Sequence, residues 1–187
     1  MKNSTPTDIA IYIRGKGEVL REKSLIGFSG DKIVAFGNEC EDMQNAAIAG
    51  SESLKVISPL KQGVIDDFIC TVKMLKYFLY KAQGKKNPFS RRPVIGLRVS
   101  ENMTLVNMKA FEEAIYSVGA RKCLIFHDPV EKVLDEWQSA DEKEIDIIIE
   151  IGKENPLEYL EEKISDVLDF AQKHNISKET VRELLDK

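Results

Sequence analysis

The stretch that decides the fold runs from Pro93 to Phe126 and reads PVIGLRVSENMTLVNMKAFEEAIYSVGARKCLIF. It begins and ends with a short apolar run of strand character. Between the two runs, Thr104 is placed to cap a helix that continues to Ser117, and Gly119 ends it. Because a strand, a helix and a second strand follow one another, we expect a parallel βαβ unit with a right-handed crossover.

Further helices and a strand flank this unit. Apolar residues recur at helical spacing from Asp67 to Ala82, which predicts an amphipathic helix, and a shorter helix is expected over Pro129–Trp137. A strand is expected over Glu144–Ile151, followed by a long helix that Pro156 opens at its favoured first position. The helix after Thr104 is expected to turn five residues towards the core: Leu105, Met108, Phe111, Ala114 and Ile115.

The N-terminal third has a different hydrophobic pattern, typical of strands. Ile9–Ile13 alternates with a period of two, as in a half-buried strand, and Gly15-Lys16-Gly17 is typical of a hairpin turn. We expect one continuous strand over Val19–Phe28 and a further strand over Lys32–Phe36, so that this part forms an antiparallel meander. A short helix over Cys40–Ala47 and a strand over Leu54–Ile57 are expected to follow.

The composition is that of an ordinary globular protein, with 43% hydrophobic and 31% charged residues in 187. A net charge of −4 and a pI near 5.4 argue against a dedicated nucleic-acid binder, which needs a basic surface. Three scattered cysteines without a CxxC motif predict reduced thiols, and neither a disulfide framework nor a zinc site. The longest apolar run, Ile9–Ile13, is far shorter than the roughly 20 residues of a spanning helix. We therefore expect a cytoplasmic protein or one that lies on a membrane surface.

Several segments resemble, in order and spacing, the MreB family of bacterial actin-like proteins. Pro59–Asp67 reads PLKQGVIDD where the family has PLKDGVIAD, and Met74–Phe78 reads MLKYF where it has MLRYF. Ile11–Gly17, IYIRGKG, is similar to VYVKGKG, and Leu124–Pro129, LIFHDP, is similar to LIEEP. The resemblance spans residues 8–137. It implies an α/β fold, the RNase H-like subdomain of the actin fold, with a mixed sheet flanked by helices.

The family holds nucleotide with two glycine-rich loops, whose backbone N–H groups approach the phosphates. The first, DLGTANT, is expected before Ile11, where the sequence has only Thr7–Ala10. The second, VDIGGGT, corresponds to Ile149–Asn155, which reads IEIGKEN and keeps a single glycine. We therefore expect no intact nucleotide site, no cofactor, no bound metal and no ATPase activity.

The catalytic glutamate of the family lies in the acidic doublet of LIEEP, where this sequence has His127 and Asp128. Asp128 keeps a carboxylate there, as the relic of a general base. The alternative is that His127 ends a strand and Asp128 caps the next helix. Because no phosphate is expected nearby, we assign no catalytic residue.

A basic loop is better preserved. Lys81–Phe89, KAQGKKNPF, is similar to the family's KAKGGMNLF, the loop that contacts the membrane. The apolar pair Pro88-Phe89 would enter the bilayer, and the flanking basic residues would attract anionic lipids. The residues expected at this contact are Pro88, Phe89, Lys85, Lys86, Arg91 and Arg92. The alternative is a solvated basic linker with the phenylalanine packed on the domain.

The C-terminal region lies outside the resemblance. Ala171–Leu185 resembles a helix-turn-helix, in which Lys178, Thr180 and Arg182 would contact DNA or a protein partner. Acidic residues outnumber basic ones over 156–187, which opposes binding to phosphates. We therefore expect a packing or oligomerising helical pair, and no nucleic-acid partner.

Two parts are expected, an actin-like domain over residues 1–152 and a helical extension over residues 153–187 that packs on it. The expected function is that of a non-catalytic scaffold or regulator of cell shape or the cytoskeleton. It would act in the cytoplasm or at the inner face of the membrane, on a protein partner or a second copy of itself. Two alternatives stay open: a residual ATPase completed by oligomerisation, and a DNA-binding adaptor that uses the C-terminal hairpin.

The missing first strand of the family would leave a gap at the centre of the sheet, with unsatisfied backbone groups on both sides. We expect Ile145–Ile151 to fill this gap, since apolar residues on both faces suit an inner strand. The alternative is that Ile9–Ile13 moves into the centre. The expected faces of the filling strand are Ile145, Ile147, Ile149 and Ile151 on one side and Ile148 on the other.

Overall fold

The computed structural model of the chain describes residues 6–47, 54–84, 91–139 and 145–152. The chain divides into two compact units, Met1–Lys153 and Glu154–Lys187. The helix predicted from Pro156 and the helix-turn-helix predicted over Ala171–Leu185 lie outside the described residues, as does the loop of residues 85–90.

The described segments contain strands and helices in a mixed order. The strands are β1 (Asp8–Ile13), β2 (Gly17–Lys23), β3 (Ile26–Ser29), β4 (Lys32–Phe36), β5 (Leu54–Ile57), β6 (Leu60–Lys61), β7 (Val64–Ile65), β8 (Val94–Arg98), β9 (Lys122–Phe126) and β10 (Ile147–Ile151). The helices are α1 (Glu39–Ala47), α2 (Phe68–Gln83), α3 (Leu105–Ser117) and α4 (Val130–Ser139). Their succession confirms the predicted α/β class, and β8, α3 and β9 form the predicted βαβ unit, with β8 and β9 parallel.

The main sheet has five strands in the order β2-β1-β10-β8-β9. Strand β10 lies at its centre, antiparallel to β1 and parallel to β8. The prediction that the segment ending at Ile151 fills the central position is confirmed, and the alternative that places Ile9–Ile13 there is wrong. Every residue of β10 is buried, because helices cover one face of the sheet and further apolar side chains cover the other.

The two faces of β10 differ from the prediction at one residue. Ile147, Ile149 and Ile151 join the main core, and Ile148 joins a smaller cluster on the opposite face. Ile145 was expected beside the first three but packs with Ile148. It precedes the strand, so it escapes strict alternation, and it occupies the space that Gly96 leaves: a Cβ on Gly96 would lie 3.1 Å from Ile145 Cδ1.

The N-terminal region forms parts of two sheets, so the single meander predicted over this region is wrong. The strand predicted over Val19–Phe28 breaks at Ser24, and β3 instead pairs with β4 and β5 in a three-stranded sheet. Ser24 is fully buried. Its N–H donates to the Thr7 carbonyl over 2.8 Å, and its hydroxyl lies 3.0 Å from that of Ser58. These tertiary contacts turn the chain from one sheet to the other.

Glu22 joins three elements near this crossing. Its carboxylate, on β2, accepts hydrogen bonds from Lys81 Nζ on α2 (2.6 Å) and from the backbone N–H of Asn38 (2.7 Å). The side chain is 8% exposed, so the two donors are needed to offset its desolvation. Gly37, with φ +67°, presses against this carboxylate so closely that any Cβ would clash with it.

Helices α2 and α3 pack on one face of the main sheet. Asp67 caps α2 by accepting from Cys70 N over 2.9 Å, and Thr104 caps α3 by accepting from Asn107 N over 3.3 Å. Phe111 lies in the core with Ala114 and Ile115, as predicted, and Met108 packs partly buried against it. Leu105 was predicted on this inner face but is 80% exposed, because the first turn of α3 extends beyond the packed surface.

A small hairpin of β6 and β7 precedes α2 and was not predicted. Its two turn residues, Gln62 and Gly63, both have positive φ angles of 51° and 73°, as a tight hairpin turn requires. Gly63 N–H donates to Thr7 Oγ1 over 3.1 Å, which ties the hairpin to the start of β1.

The three cysteines, Cys40, Cys70 and Cys123, are free and buried. Burial raises the pKa of the Cys123 thiol to about 12 and that of Cys40 to about 11. Thiols with raised pKa values are poor nucleophiles, so packing explains these residues.

Candidate functional site

The carboxyl ends of β8, β9 and β10 meet at one edge of the main sheet, where open α/β sheets usually bind ligands. Arg98 ends β8, Phe126 ends β9 and Ile151 ends β10. His127 follows β9 and lies with Nδ1 3.3 Å from the Val99 carbonyl. A ligand-binding site is therefore expected at this edge.

A buried carboxylate lies at this edge. Glu150, the penultimate residue of β10, is 4% exposed. The Tyr12 hydroxyl donates to it over 3.1 Å from β1, and the Arg98 guanidinium lies 3.9 Å away on β8. Because both neighbouring strands contribute a partner, the charge of Glu150 is compensated from both sides.

The network continues across β1 to β2. Arg21 Nη2 donates to the Tyr12 hydroxyl over 3.4 Å and also binds Glu18. Burial, followed by the negative charge of Glu150, raises the pKa of Tyr12 well above its usual value. The same environment favours the protonated hydroxyl, which donates to Glu150.

Arg98 completes the enclosure of the carboxylate. Its Nη1 donates to the Gly152 carbonyl over 3.3 Å, and its Nε is buried without a hydrogen-bond partner. An arginine that already faces a carboxylate is poorly placed to bind an incoming phosphate. The described residues contain no group of three or more His, Cys, Asp or Glu side chains that could hold a metal ion.

In the turn after β10, a backbone N–H group is already hydrogen-bonded within the protein. Gly152 has φ +67°, and its N–H donates to the Asp8 carbonyl over 2.8 Å. A phosphate loop needs such N–H groups free to point at the ligand. Gly152 corresponds to the first glycine of VDIGGGT, and its N–H group is hydrogen-bonded to β1 and not free for a phosphate.

The relic carboxylate Asp128 lies apart from this network, at the surface. Lys132 Nζ donates to it over 2.7 Å, and the Asp128 side chain is 55% exposed. The hydrogen bond and charge of Lys132 lower the pKa of Asp128. Its carboxylate therefore forms an i, i+4 ion pair with Lys132.

At the opposite edge of the sheet, where the parallel strands β8 and β9 begin, basic residues from separate segments come together. Arg91 and Arg92 precede β8. Arg121 precedes the adjacent parallel strand β9, and Lys122 begins that strand and pairs in register with Val94. All four bases are exposed. Two of them were predicted for membrane contact, and the other two became neighbours only through the βαβ crossover.

The remaining predicted contacts fall outside the described residues: Lys85, Lys86, Pro88 and Phe89 in the loop, and Lys178, Thr180 and Arg182 in the C-terminal region. In the described segments, no helix combines the length and apolar character that crossing a bilayer requires.

Sequence reasoning missed the partners of Glu150. One signal was available, because a single acid inside the run Ile147–Ile151 is buried with its strand and must find a partner. The identity of that partner was hidden, since Tyr12 lies 138 residues away in the chain.

A family profile described as "MreB/Mbl protein" matches residues 5–156. The cell shape-determining protein Mbl of Bacillus cereus is 34% identical over 124 residues, covering 65% of this chain and 36% of that relative. The cell shape-determining protein MreB of Escherichia coli K12 is 28% identical over 149 residues, covering 76% of this chain and 42% of the relative. This chain thus spans about two fifths of these relatives' length.

Solved structures share the fold. MreB5 of Spiroplasma citri bound to ADP superposes with a TM-score of 0.53 at 21% identity, covering 67% of this chain and 36% of that one. A structure described as a MamK double helical filament gives 0.54 at 15% identity, covering 67% and 39%. Both are actin-like proteins, which confirms the predicted actin-like fold.

Proposed function

Because the chain belongs to the MreB/Mbl protein family, we propose that it acts in cell shape or the cytoskeleton as a non-catalytic scaffold or regulator. Its relatives are described as cell shape-determining proteins. This role requires no nucleotide turnover, and the chemistry at the carboxyl edge of the main sheet supports it.

The observation that carries the proposal is the enclosure of Glu150. A carboxylate that serves a nucleotide site must face the bound cation and phosphates. Glu150 instead faces Tyr12 and Arg98 and is nearly inaccessible. Opening this site to Mg²⁺ and phosphate would leave Arg98 without its counter-charge and Tyr12 without its acceptor.

Two further features support the loss of turnover. The N–H of Gly152 is bonded to Asp8, and the next residues in the sequence, Lys153 and Glu154, carry bulky side chains where the family has glycines. Asp128 is engaged by Lys132 at the surface. A general base would have to approach an attacking water beside a phosphate, and this ion pair holds the carboxylate elsewhere.

Isothermal titration of the full chain with Mg-ATP tests the proposal, with a full-length MreB relative as the positive control. We expect no binding tighter than a Kd of about 10 µM, or about −7 kcal/mol. Tighter binding, or phosphate release above background, would favour the alternative of an ATPase completed by oligomerisation.

The basic edge formed by Arg91, Arg92, Arg121 and Lys122 favours an anionic membrane surface as a second partner. Arg91 lies 3.9 Å from Asp146, which offsets part of its charge. Each base close to an anionic leaflet contributes about 1 kcal/mol, so the set gives a weak attraction that becomes useful in an assembly of several copies.

A further inference from the structure

Residues 25–57 form a part of the domain with its own sheet and its own small core, which we call the insert. Strands β3, β4 and β5 pair with one another in the three-stranded sheet, and α1 packs on β4 and β5. The small core consists of Leu25, Ala35 and Cys40, with Met43 and Val56 packed against them. The insert therefore has an interior separate from the core on which the main sheet packs.

The chain enters and leaves the insert at two neighbouring serines. Ser24 precedes the insert and Ser58 follows it, and their hydroxyls lie 3.0 Å apart. Both serines are also bound to the rest of the domain. Ser24 N–H donates to the Thr7 carbonyl over 2.8 Å, and the Ser58 hydroxyl donates to the Leu60 carbonyl over 2.6 Å. Two single-chain connections side by side have the geometry of a hinge, because small dihedral changes at both turn the insert as one body.

Away from the serines, Asn38 joins the insert to β2, an edge strand of the main sheet as described. The Asn38 side chain accepts from the Lys23 N–H over 3.1 Å and donates to the Arg21 carbonyl over 3.3 Å. Its own N–H donates to the Glu22 carboxylate over 2.7 Å. Asn38 thus satisfies backbone groups of an edge strand without extending the sheet, and water can replace these bonds if the insert moves away.

Helix α2 holds the insert through one ion pair and one ring contact. Lys81 Nζ donates to the Glu22 carboxylate over 2.6 Å, and the Tyr77 ring stacks on Phe36 of β4 with the ring centroids 4.5 Å apart. Phe36 also packs against the main core, which makes the closed arrangement the dominant one. The residues that make these contacts are called the latch: Glu22, Phe36, Asn38, Tyr77 and Lys81.

We propose that the insert is a hinged unit, which swings about Ser24 and Ser58 between a dominant closed state and a minor open state and is held closed by the latch. Both interiors stay folded in the open state, because opening exchanges a few polar bonds for bonds to water, whereas unfolding breaks whole backbone ladders. Opening uncovers the facing rings of Phe36 and Tyr77, a surface that the closed protein does not present. The inference goes beyond the proposed function and does not depend on it.

Hydrogen exchange followed amide by amide, by NMR of the full chain, tests the hinge. The Asn38 N–H is bonded across the latch to Glu22, whereas the N–H of its neighbour Gly37 donates to the Leu25 carbonyl within the insert over 2.9 Å. Only the first of these bonds breaks when the insert swings as one body. We therefore expect the Asn38 amide to exchange at least about tenfold faster than the Gly37 amide, after correction for their intrinsic rates.

Two substitutions in the latch should increase this opening. Lys81→Met removes the charge-assisted bond to Glu22 and should accelerate exchange of the Asn38 amide by about tenfold. Tyr77→Leu removes the stacked ring and should accelerate it by about two- to tenfold, because the ring contact and the Asn38 bond are broken by the same movement. Lys76→Met, at an exposed lysine of the same helix, is the matched control and should leave the rate unchanged.

Two further substitutions weaken the interiors and leave the latch intact. Val56→Ala, in the small core of the insert, should accelerate the Gly37 amide and leave the Asn38 amide unchanged. Ile148→Val, at the centre of the main sheet, should likewise leave the Asn38 amide unchanged, because opening does not require the main sheet to unfold. Circular dichroism of each variant establishes that it is folded.

Three results would overturn the inference. If Val56→Ala accelerates the Asn38 and Gly37 amides equally, the insert unfolds and does not swing. If Ile148→Val accelerates the Asn38 amide, that amide is exposed only by unfolding of the whole domain. If neither Lys81→Met nor Tyr77→Leu changes its exchange, the latch does not hold the insert closed. The Mg-ATP titration has no bearing on these outcomes, so the hinge and the proposed function stand or fall separately.

Discussion

The hydroxyl of Tyr12 donates a 3.1 Å hydrogen bond to the buried carboxylate of Glu150 across the β1–β10 pair. Tyr12→Phe removes this donor and leaves Glu150 with Arg98 as its remaining partner among those described. We expect the free energy of unfolding to fall by about 1–3 kcal/mol, the cost of a buried unsatisfied polar group. Urea unfolding measures it.

Tyr80→Phe is the control for this change, since Tyr80 is 56% exposed on α2. It should alter the free energy of unfolding by less than about 0.5 kcal/mol. Equal effects of the two substitutions would mean that the Tyr12 hydrogen bond adds nothing to stability.

Ile148 is fully buried at the centre of the sheet, paired with Tyr12 on one side and Gly96 on the other. Ile148→Asp places an unpaired charge in this position and should unfold the domain. Ile148→Val should cost only about 0.5–1.5 kcal/mol. Circular dichroism and urea unfolding distinguish the two, and a folded Ile148→Asp variant would contradict the central position of β10.

Gly37 and Gly30 both have positive φ angles, +67° and +58°, and they form a matched pair. Gly30→Ala meets no atom within 4 Å, so it should cost only the left-handed backbone strain, about 1–2 kcal/mol. Gly37→Ala adds a clash with the Glu22 carboxylate, and we expect a further loss of about 1–3 kcal/mol. Thermal unfolding compares them, and equal losses would show that Glu22 moves aside without penalty.

Asp67 caps α2, and the hydrogen bond from Cys70 N lowers its pKa. A lowered folded-state pKa means that Asp67 stabilises the fold above its unfolded pKa of about 3.9 and that this contribution is lost as the pH falls through the folded value. Asp67→Ala should therefore cost about 0.5–2 kcal/mol at pH 7 and much less in strong acid.

Asp67→Asn separates the cap from its charge. Asparagine still accepts the Cys70 hydrogen bond, so the loss at pH 7 should be small, while the dependence on pH should disappear. Urea unfolding at neutral and acidic pH measures both. A penalty for Asp67→Ala that stays constant with pH would contradict a charged cap.

Arg121 and Lys122 form the basic edge together with Arg91 and Arg92. Arg121→Ser/Lys122→Ser should weaken partitioning to phosphatidylglycerol vesicles by up to about 30-fold at low salt, at about 1 kcal/mol per base. Lys32→Ser/Lys55→Ser removes the same charge from exposed positions of the three-stranded sheet. Co-sedimentation that falls equally for both pairs would indicate a response to net charge alone.

The sequence by itself determined the elements whose signals are local. The cap of α3, Thr104, was assigned correctly because a capping side chain bonds to an N–H only three residues away. The alternation of Ile9–Ile13 and the apolar runs of β8 and β9 were equally readable, since periodicity reports burial without reference to any distant partner.

The tertiary structure decided what depends on distant partners. Ser24 ends one strand because Thr7 and Ser58 bind it, and the pattern of Val19–Phe28 shows no break. Leu105 fits the apolar spacing of α3 yet is exposed, because spacing defines a face but not how far the packed surface extends along it. The compensation of Glu150 by Tyr12 and Arg98 exists only once β10 lies between β1 and β8. Strand order is set by packing between segments more than a hundred residues apart, and no local propensity encodes it.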